Sequence, residues 1–172
     1  PGETVTLYMV YFQRPYGHRL TGAQFVTVPG LTQASQVQTA IHELLHPAYN
    51  PSNTLARGAA QRLSANQFFR HAFENRDPRY PYNNWNSYVD ENAVRALEQI
   101  ICARVGLPQR WGWQGEDGGM HVLAPVLVDL MQAQQFPQNG ETFQAFLIRN
   151  VDDGTLLSVD QATAIYRQVV KP

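Results

Sequence analysis

The chain has 172 residues, of which 44% are hydrophobic, and its 13 basic and 14 acidic side chains give a formal net charge of −1. A single domain with a real hydrophobic core is the natural expectation for this length and composition. The scattered charges exclude the basic footprint of a nucleic-acid-binding protein, and no apolar run approaches the roughly 18 residues that a membrane span needs.

Two features of the chain bear on its cellular setting. It begins at Pro1 rather than at a methionine, which is typical of a trimmed or mature piece of a longer precursor, so we expect a secreted or periplasmic location. The single cysteine, Cys102, lies among isoleucines and is predicted to be a buried small hydrophobe. Composition leaves the oligomeric state open.

The N-terminal part of the chain is predicted to contain two strands. Residues 4–12 are rich in β-branched and aromatic side chains, and residues 24–28 alternate in polarity before a Pro-Gly turn. The two segments are predicted to pair antiparallel, with residues 14–22 as a loop between them.

The next segment, residues 35–46, is predicted to be an amphipathic helix packed on the core. Ser35 followed by Gln38 fits a capping box at its start, and Pro47 should end it. The apolar residues at helical spacing are Val37, Ile41, Leu44 and Leu45.

The rest of the chain is predicted to be helical, with two loops at residues 76–87 and 111–119. The predicted helices are residues 54–75, 88–106, 120–134, 142–149 and 159–170. Together with the strands, they predict a mostly helical α+β fold with a small antiparallel N-terminal sheet.

The helix over residues 35–46 contains the sequence His42-Glu43-Leu44-Leu45-His46, which matches the pattern His-Glu-x-x-His. Residues four apart lie on one face of a helix, about 5–6 Å apart at Cβ, so two imidazoles can reach one ion. Glu43, next to the first histidine, would act as general base toward a water molecule. The pattern therefore predicts a zinc site with His42 and His46 as ligands.

A catalytic zinc keeps three protein ligands, so a third is needed from elsewhere. Residues 47–57 contain no histidine, which favours a carboxylate. The buried stripe predicted for residues 88–106 includes Glu91 and Glu98, and buried acids without partners are costly. We predict Glu91 as the ligand, with Glu98 or another residue such as His121 as alternatives. Whichever acid does not bind metal would orient a ligand histidine or pair with Arg95. The alternative is that Glu91 binds no metal and forms a structural ion pair with Arg95, four residues away.

Three segments together resemble the DUF4932 family of bacterial proteins: residues 25–30 (FVTVPG), 42–51 (HELLHPAYNP) and 91–96 (ENAVRA). The resemblance implies a gluzincin-type zinc metallopeptidase with a zincin-like fold. It assigns His42, His46 and Glu91 as ligands and Glu43 as base, and it implies that residues 24–28 form an edge strand before the active-site helix. Many gluzincins have an aspartate four residues after the ligand glutamate, where this chain has Arg95.

On this basis we expect an extended peptide or protein substrate to pair with the edge at residues 24–28. Tyr88 and His121 are candidate donors to the oxyanion of the reaction. The aromatic loop that contains Tyr80, Tyr82 and Trp85 would either line the cleft or simply pack. His18 and His71 are predicted to be structural or exposed.

Two other functions fit the same residues. One is an inactive module of zincin fold that binds peptides or holds zinc structurally. The other is a zinc amidase that acts on a non-protein amide, such as a cell-wall cross-link. An intact Glu43 favours a hydrolase, since a structural site has no use for a base and is usually closed by a fourth ligand.

Overall fold

A computed structural model describes residues 4–10, 17–78, 82–108 and 120–170 of the chain, as a small sheet followed by helices. The strands are β1 (Thr6–Met9), β2 (Gly17–Thr21) and β3 (Gln24–Thr27). The helices are α1 (Gln33–Leu45), α2 (Thr54–Leu63), α3 (Gln67–Glu74), α4 (Trp85–Arg104), α5 (Leu123–Ala133), α6 (Phe143–Asp152) and α7 (Val159–Val169). Single 3₁₀ turns lie at His46–Ala48 and Thr155–Leu157. The α+β class expected from the sequence is confirmed.

The sheet is mixed, with strand order β1-β3-β2. β2 and β3 pair antiparallel across a tight turn at Gly22, whose φ of +51° suits glycine, and β1 lies parallel to β3 on the other side. Three predictions are therefore wrong. Part of the predicted loop 14–22 is a strand, the two predicted strands pair parallel, and residues 24–27 form the central strand rather than an edge. The reason is that the hairpin, formed between neighbours in the chain, occupies one side of β3 and leaves only the other for β1.

Helix α1 begins two residues earlier than predicted, because Thr32 caps it by accepting a hydrogen bond from the N–H of Ser35. The predicted capping box at Ser35 is therefore wrong. The predicted inward stripe is also wrong at Val37, whose side chain is 42% exposed. The residues of α1 that are buried are polar: Gln38, Thr39 and Glu43. Pro47 ends the helix as predicted, and the 3₁₀ turn follows.

The predicted helix 54–75 is two helices, α2 and α3, because Asn66 interrupts it. The side chain of Asn66 accepts from the N–H of Phe68 and so caps α3, and it donates to the carbonyl of Leu156. Such a residue starts a helix more readily than it continues one.

Helix α4 begins three residues earlier than predicted, capped by Asn84. Glu91 and Glu98 are both buried on it, as predicted, and so is Cys102. The helix ends at Arg104, so Val105 is 60% exposed and does not belong to the buried stripe.

Helix α5 is the most buried helix of the described residues and packs against α4 and α7. Its first turn lacks a side-chain cap of its own and is capped from α4: the side chain of Asn92 accepts from the N–H groups of Leu123 and Ala124. This helix was predicted to begin at residue 120, but it begins at Leu123. The predicted loop 111–119 lies outside the described residues. Among the helices described, none is long and apolar enough to span a membrane.

Candidate metal centre

The two histidines of the motif lie where α1 ends. His42 is on the last helical turns and His46 opens the 3₁₀ turn, and their rings are 5.2 Å apart between centroids and nearly perpendicular. Glu91 approaches from α4, which packs against α1. One ligand atom from each of His42, His46 and Glu91 lies within 4.8 Å of the others. These three residues form a group that could hold a metal ion.

Hydrogen bonds fix the orientation of both rings. Nδ1 of His42 donates to Oε2 of Glu98 at 3.1 Å, and Nδ1 of His46 donates to Oδ2 of Asp90 at 3.1 Å. A carboxylate only accepts, so each neutral ring carries its proton on Nδ1 and has its lone pair on Nε2. Both histidines are therefore held in the tautomer that a metal ligand needs, by the acidic partners that ligand histidines ordinarily have.

Glu91 is the most enclosed member of the group, with its side chain 2% exposed. Its Oε2 lies 3.7 Å from Nε2 of His42, while its Oε1 accepts from Nε of Arg95 at 3.0 Å and lies 3.7 Å from Nε2 of His121. Burial alone would raise the pKa of Glu91, but the nearby side chains of His121, His42 and Arg95 hold it well below its usual value. Glu91 is thus an ionised carboxylate facing an imidazole nitrogen.

The centre has more negative than positive charge among its described residues. The carboxylates of Glu43, Asp90, Glu91 and Glu98 stand against the one guanidinium of Arg95. Burial lowers the pKa of His46, yet Asp90 and the charges of Glu91 and Glu43 raise it above its ordinary value. Because a buried excess of negative charge is costly, a cation at this point would relieve it.

Glu43, the predicted base, is 8% exposed and faces the sheet. Its Oε2 accepts a hydrogen bond of 2.8 Å from the backbone N–H of Arg19 in β2. This contact holds one oxygen of the carboxylate. β2 thus contacts the motif directly, whereas the prediction gave the place beside the active-site helix to residues 24–28, and α1 packs against both β2 and β3.

The remaining predicted residues fall in different places. His121 reaches Glu91, and Glu98 takes both roles considered for it, since it orients His42 and pairs with Arg95. Tyr88 is fully buried and stacks on Trp85. Its role as an oxyanion donor stays a prediction. His71 is exposed on α3, as predicted. Tyr80 and the side chain of His18 lie outside the described residues.

Two residues of the centre were not predicted as members. Asp90 has no signal in the sequence beyond its place beside Glu91. Tyr82 was predicted only as a possible wall of the cleft, but it lies beside Glu91, and burial together with that carboxylate raises the pKa of its hydroxyl well above the usual value. Trp85, predicted in the same loop, is the first residue of α4, packs in the core and donates to the carbonyl of Ala60.

No protein-family model, curated protein or solved structure matches the chain. Function must therefore be inferred from the geometry of the centre itself.

Proposed function

We propose that the chain is a zinc-dependent peptidase in which His42, His46 and Glu91 hold the metal and Glu43 is the general base. The observation that carries the proposal is the pair of histidines oriented by Glu98 and Asp90, which together with the buried Glu91 bring one ligand atom each to within 4.8 Å of one another. The resemblance to the DUF4932 family points the same way.

The donor set agrees with a catalytic rather than a structural metal. Two histidines and one glutamate leave a coordination position for water or substrate. The same donors also hold Fe(II) in some oxygenases, but a base next to the ligands favours hydrolysis, since only hydrolysis has to take a proton from water. Zinc held there would supply a Lewis acid that acidifies water and polarises a carbonyl group.

The residues of the chain would carry the proton. Glu43 takes a proton from water as the water oxygen forms its bond to the scissile carbonyl carbon. It then delivers that proton to the amide nitrogen as the C–N bond breaks. Tyr82 and His121, which lie beside Glu91, would stabilise the oxyanion.

The outer edge of β2 is the place for an extended substrate. Among the described strands, β3 has a neighbour on each side, whereas β2 pairs with β3 alone and directs the N–H of Arg19 toward Glu43. A peptide that added a strand to β2 would bring its backbone next to the base.

The test compares the parent chain with Glu43→Gln, using zinc content and cleavage of a peptide mixture followed by mass spectrometry. We expect both proteins to bind one zinc, and the variant to lose about 10²–10⁴-fold in rate, the usual contribution of a general base. Glu74→Gln, on an exposed residue paired with Arg70, is the matched control and should cleave normally.

Cleavage that survives Glu43→Gln would remove the proposed base. A parent chain that holds zinc but cleaves no peptide would contradict a peptidase and favour the amidase or the binding module. Iron in place of zinc in the purified protein would contradict the hydrolytic assignment.

A further inference from the structure

Arg95 lies between the two buried carboxylates of α4. Its Nε donates to Oε1 of Glu91 at 3.0 Å, and one of its two terminal nitrogens, Nη1, donates to Oε2 of Glu98 at 3.2 Å. The Arg95 side chain is 22% exposed, while those of Glu91 and Glu98 are 2% and 5% exposed. One planar group thus holds two carboxylates that water hardly reaches.

Both carboxylates also contact His42, from opposite sides of its ring. Glu98 binds Nδ1 through the same Oε2 that accepts from Arg95, and Glu91 faces Nε2 at 3.7 Å. The contacts therefore form a closed circuit from Arg95 through Glu98, His42 and Glu91 back to Arg95. Each of these groups contacts two of the other three.

The circuit gives the two oxygens of Glu91 different partners. Oε1 is turned toward Arg95 and His121, and Oε2 is turned toward His42. A cation that needed both oxygens would have to take Oε1 away from the guanidinium. A cation satisfied by one oxygen and two imidazole nitrogens would leave the circuit intact.

We propose that Arg95 is a positioning residue that fixes Glu91 as a one-oxygen ligand and, through Glu98, fixes the ring of His42. The proposal rests on the metal centre proposed above. Arg95 thereby favours zinc, which accepts few ligands at tetrahedral geometry, over cations such as Mn²⁺ that prefer more oxygen atoms.

The guanidinium is needed for its shape as well as its charge. Arginine presents several N–H donors in a fixed plane, which lets it bridge two carboxylates, whereas lysine is a point charge on a flexible chain. If Arg95 formed only an ion pair, Arg95→Lys would largely restore it. If Arg95 positions both carboxylates, Arg95→Lys would not restore that role.

The experiment measures zinc affinity by competition with a chromophoric chelator, and the visible spectrum of the cobalt(II) form, for the parent, Arg95→Lys and Arg95→Met. We expect both variants to lose about 10–100-fold in zinc affinity, as is usual when a partner of a ligand is removed. We expect the cobalt absorption to weaken as Glu91 offers its second oxygen, and Mn²⁺ to compete better than in the parent.

Arg70→Met is the control, because Arg70 also pairs with a glutamate four residues away on a helix, but in an exposed position on α3. It should match the parent in affinity and spectrum. If Arg95→Met does not fold, as judged by circular dichroism, Arg95→Lys keeps the charge and decides the question.

The outcomes separate the two proposals. A parent chain that binds no zinc contradicts the metal centre and the role of Arg95 together. A parent that binds zinc, with an Arg95→Lys variant of equal affinity and unchanged cobalt spectrum, contradicts the positioning role alone.

Discussion

At the scale of single residues, the centre depends on pairs made of a histidine and an acid. Each imidazole donates a hydrogen bond from Nδ1 to a carboxylate, His42 to Glu98 and His46 to Asp90. These hydrogen bonds decide which nitrogen is left for a metal. The two pairs differ in burial, since Glu98 is 5% exposed and Asp90 27% exposed. Both acids should matter for metal binding, although neither offers an atom to the ion.

Asp90 gives the clearer test of this point, because it has no contact with Arg95 among the described residues. In Asp90→Asn the side chain loses its charge and can donate as well as accept, so it favours the Nδ1–H form of His46 much less than a carboxylate does. We expect zinc affinity to fall about 10–100-fold, measured by chelator competition. Asp152→Asn, on an exposed partner of Arg62, should leave the affinity unchanged. Equal affinities for the two variants would show that Asp90 does not orient the ligand.

At the scale of elements, the centre is built where α1 and α4 cross, and α4 is in turn joined to α5. Asn92 makes this join: its amide nitrogen donates to the carbonyl of Tyr88, and its oxygen accepts from two N–H groups at the start of α5. His121 lies just before that start and contacts Glu91. The capping of α5 therefore also places one of the residues around the carboxylate ligand.

Asn92→Ala should test that link. The change leaves the buried N–H groups of Leu123 and Ala124 without their acceptor, at a cost of about 1–3 kcal/mol in the free energy of unfolding. Urea denaturation measures it, with Asn50→Ala, on an exposed turn, expected to change stability by about 0.5 kcal/mol or less. A loss no larger than that of the control would show that α5 does not need this cap.

The same elements show how much of the fold and of the centre can be predicted from the sequence. Local spacing was enough to predict the helix that carries His42 and Glu43 and is followed directly by His46, and the buried stripe of α4 was enough to predict that Glu91 and Glu98 face inward. Strand β2 was missed, because GHRLT does not alternate and its strand form depends on pairing with β3. The contact between His46 and Asp90 joins residues 44 positions apart and depends on how two helices cross, which periodicity within each helix does not specify.

At the scale of the whole molecule, a metal at this centre would join the N-terminal half of the chain, which carries α1, to the helical half that begins with α4. A ligand that binds only the folded chain stabilises it by about 2.7 kcal/mol when its free concentration is 100 times its dissociation constant. Metal binding should therefore appear as a rise in thermal stability as well as in metal content.

The most direct measurement is zinc titration of the metal-free chain, followed by bound zinc per chain and by the melting temperature. It should be run for the parent, for His42→Ala, His46→Ala and Glu91→Ala, and for His71→Ala as the control on an exposed histidine of α3. We predict one zinc and a higher melting temperature for the parent and His71→Ala, with both lost or strongly reduced in the other three. Zinc binding that persists unchanged in those three variants, or is missing from the parent, would contradict a metal centre at His42, His46 and Glu91.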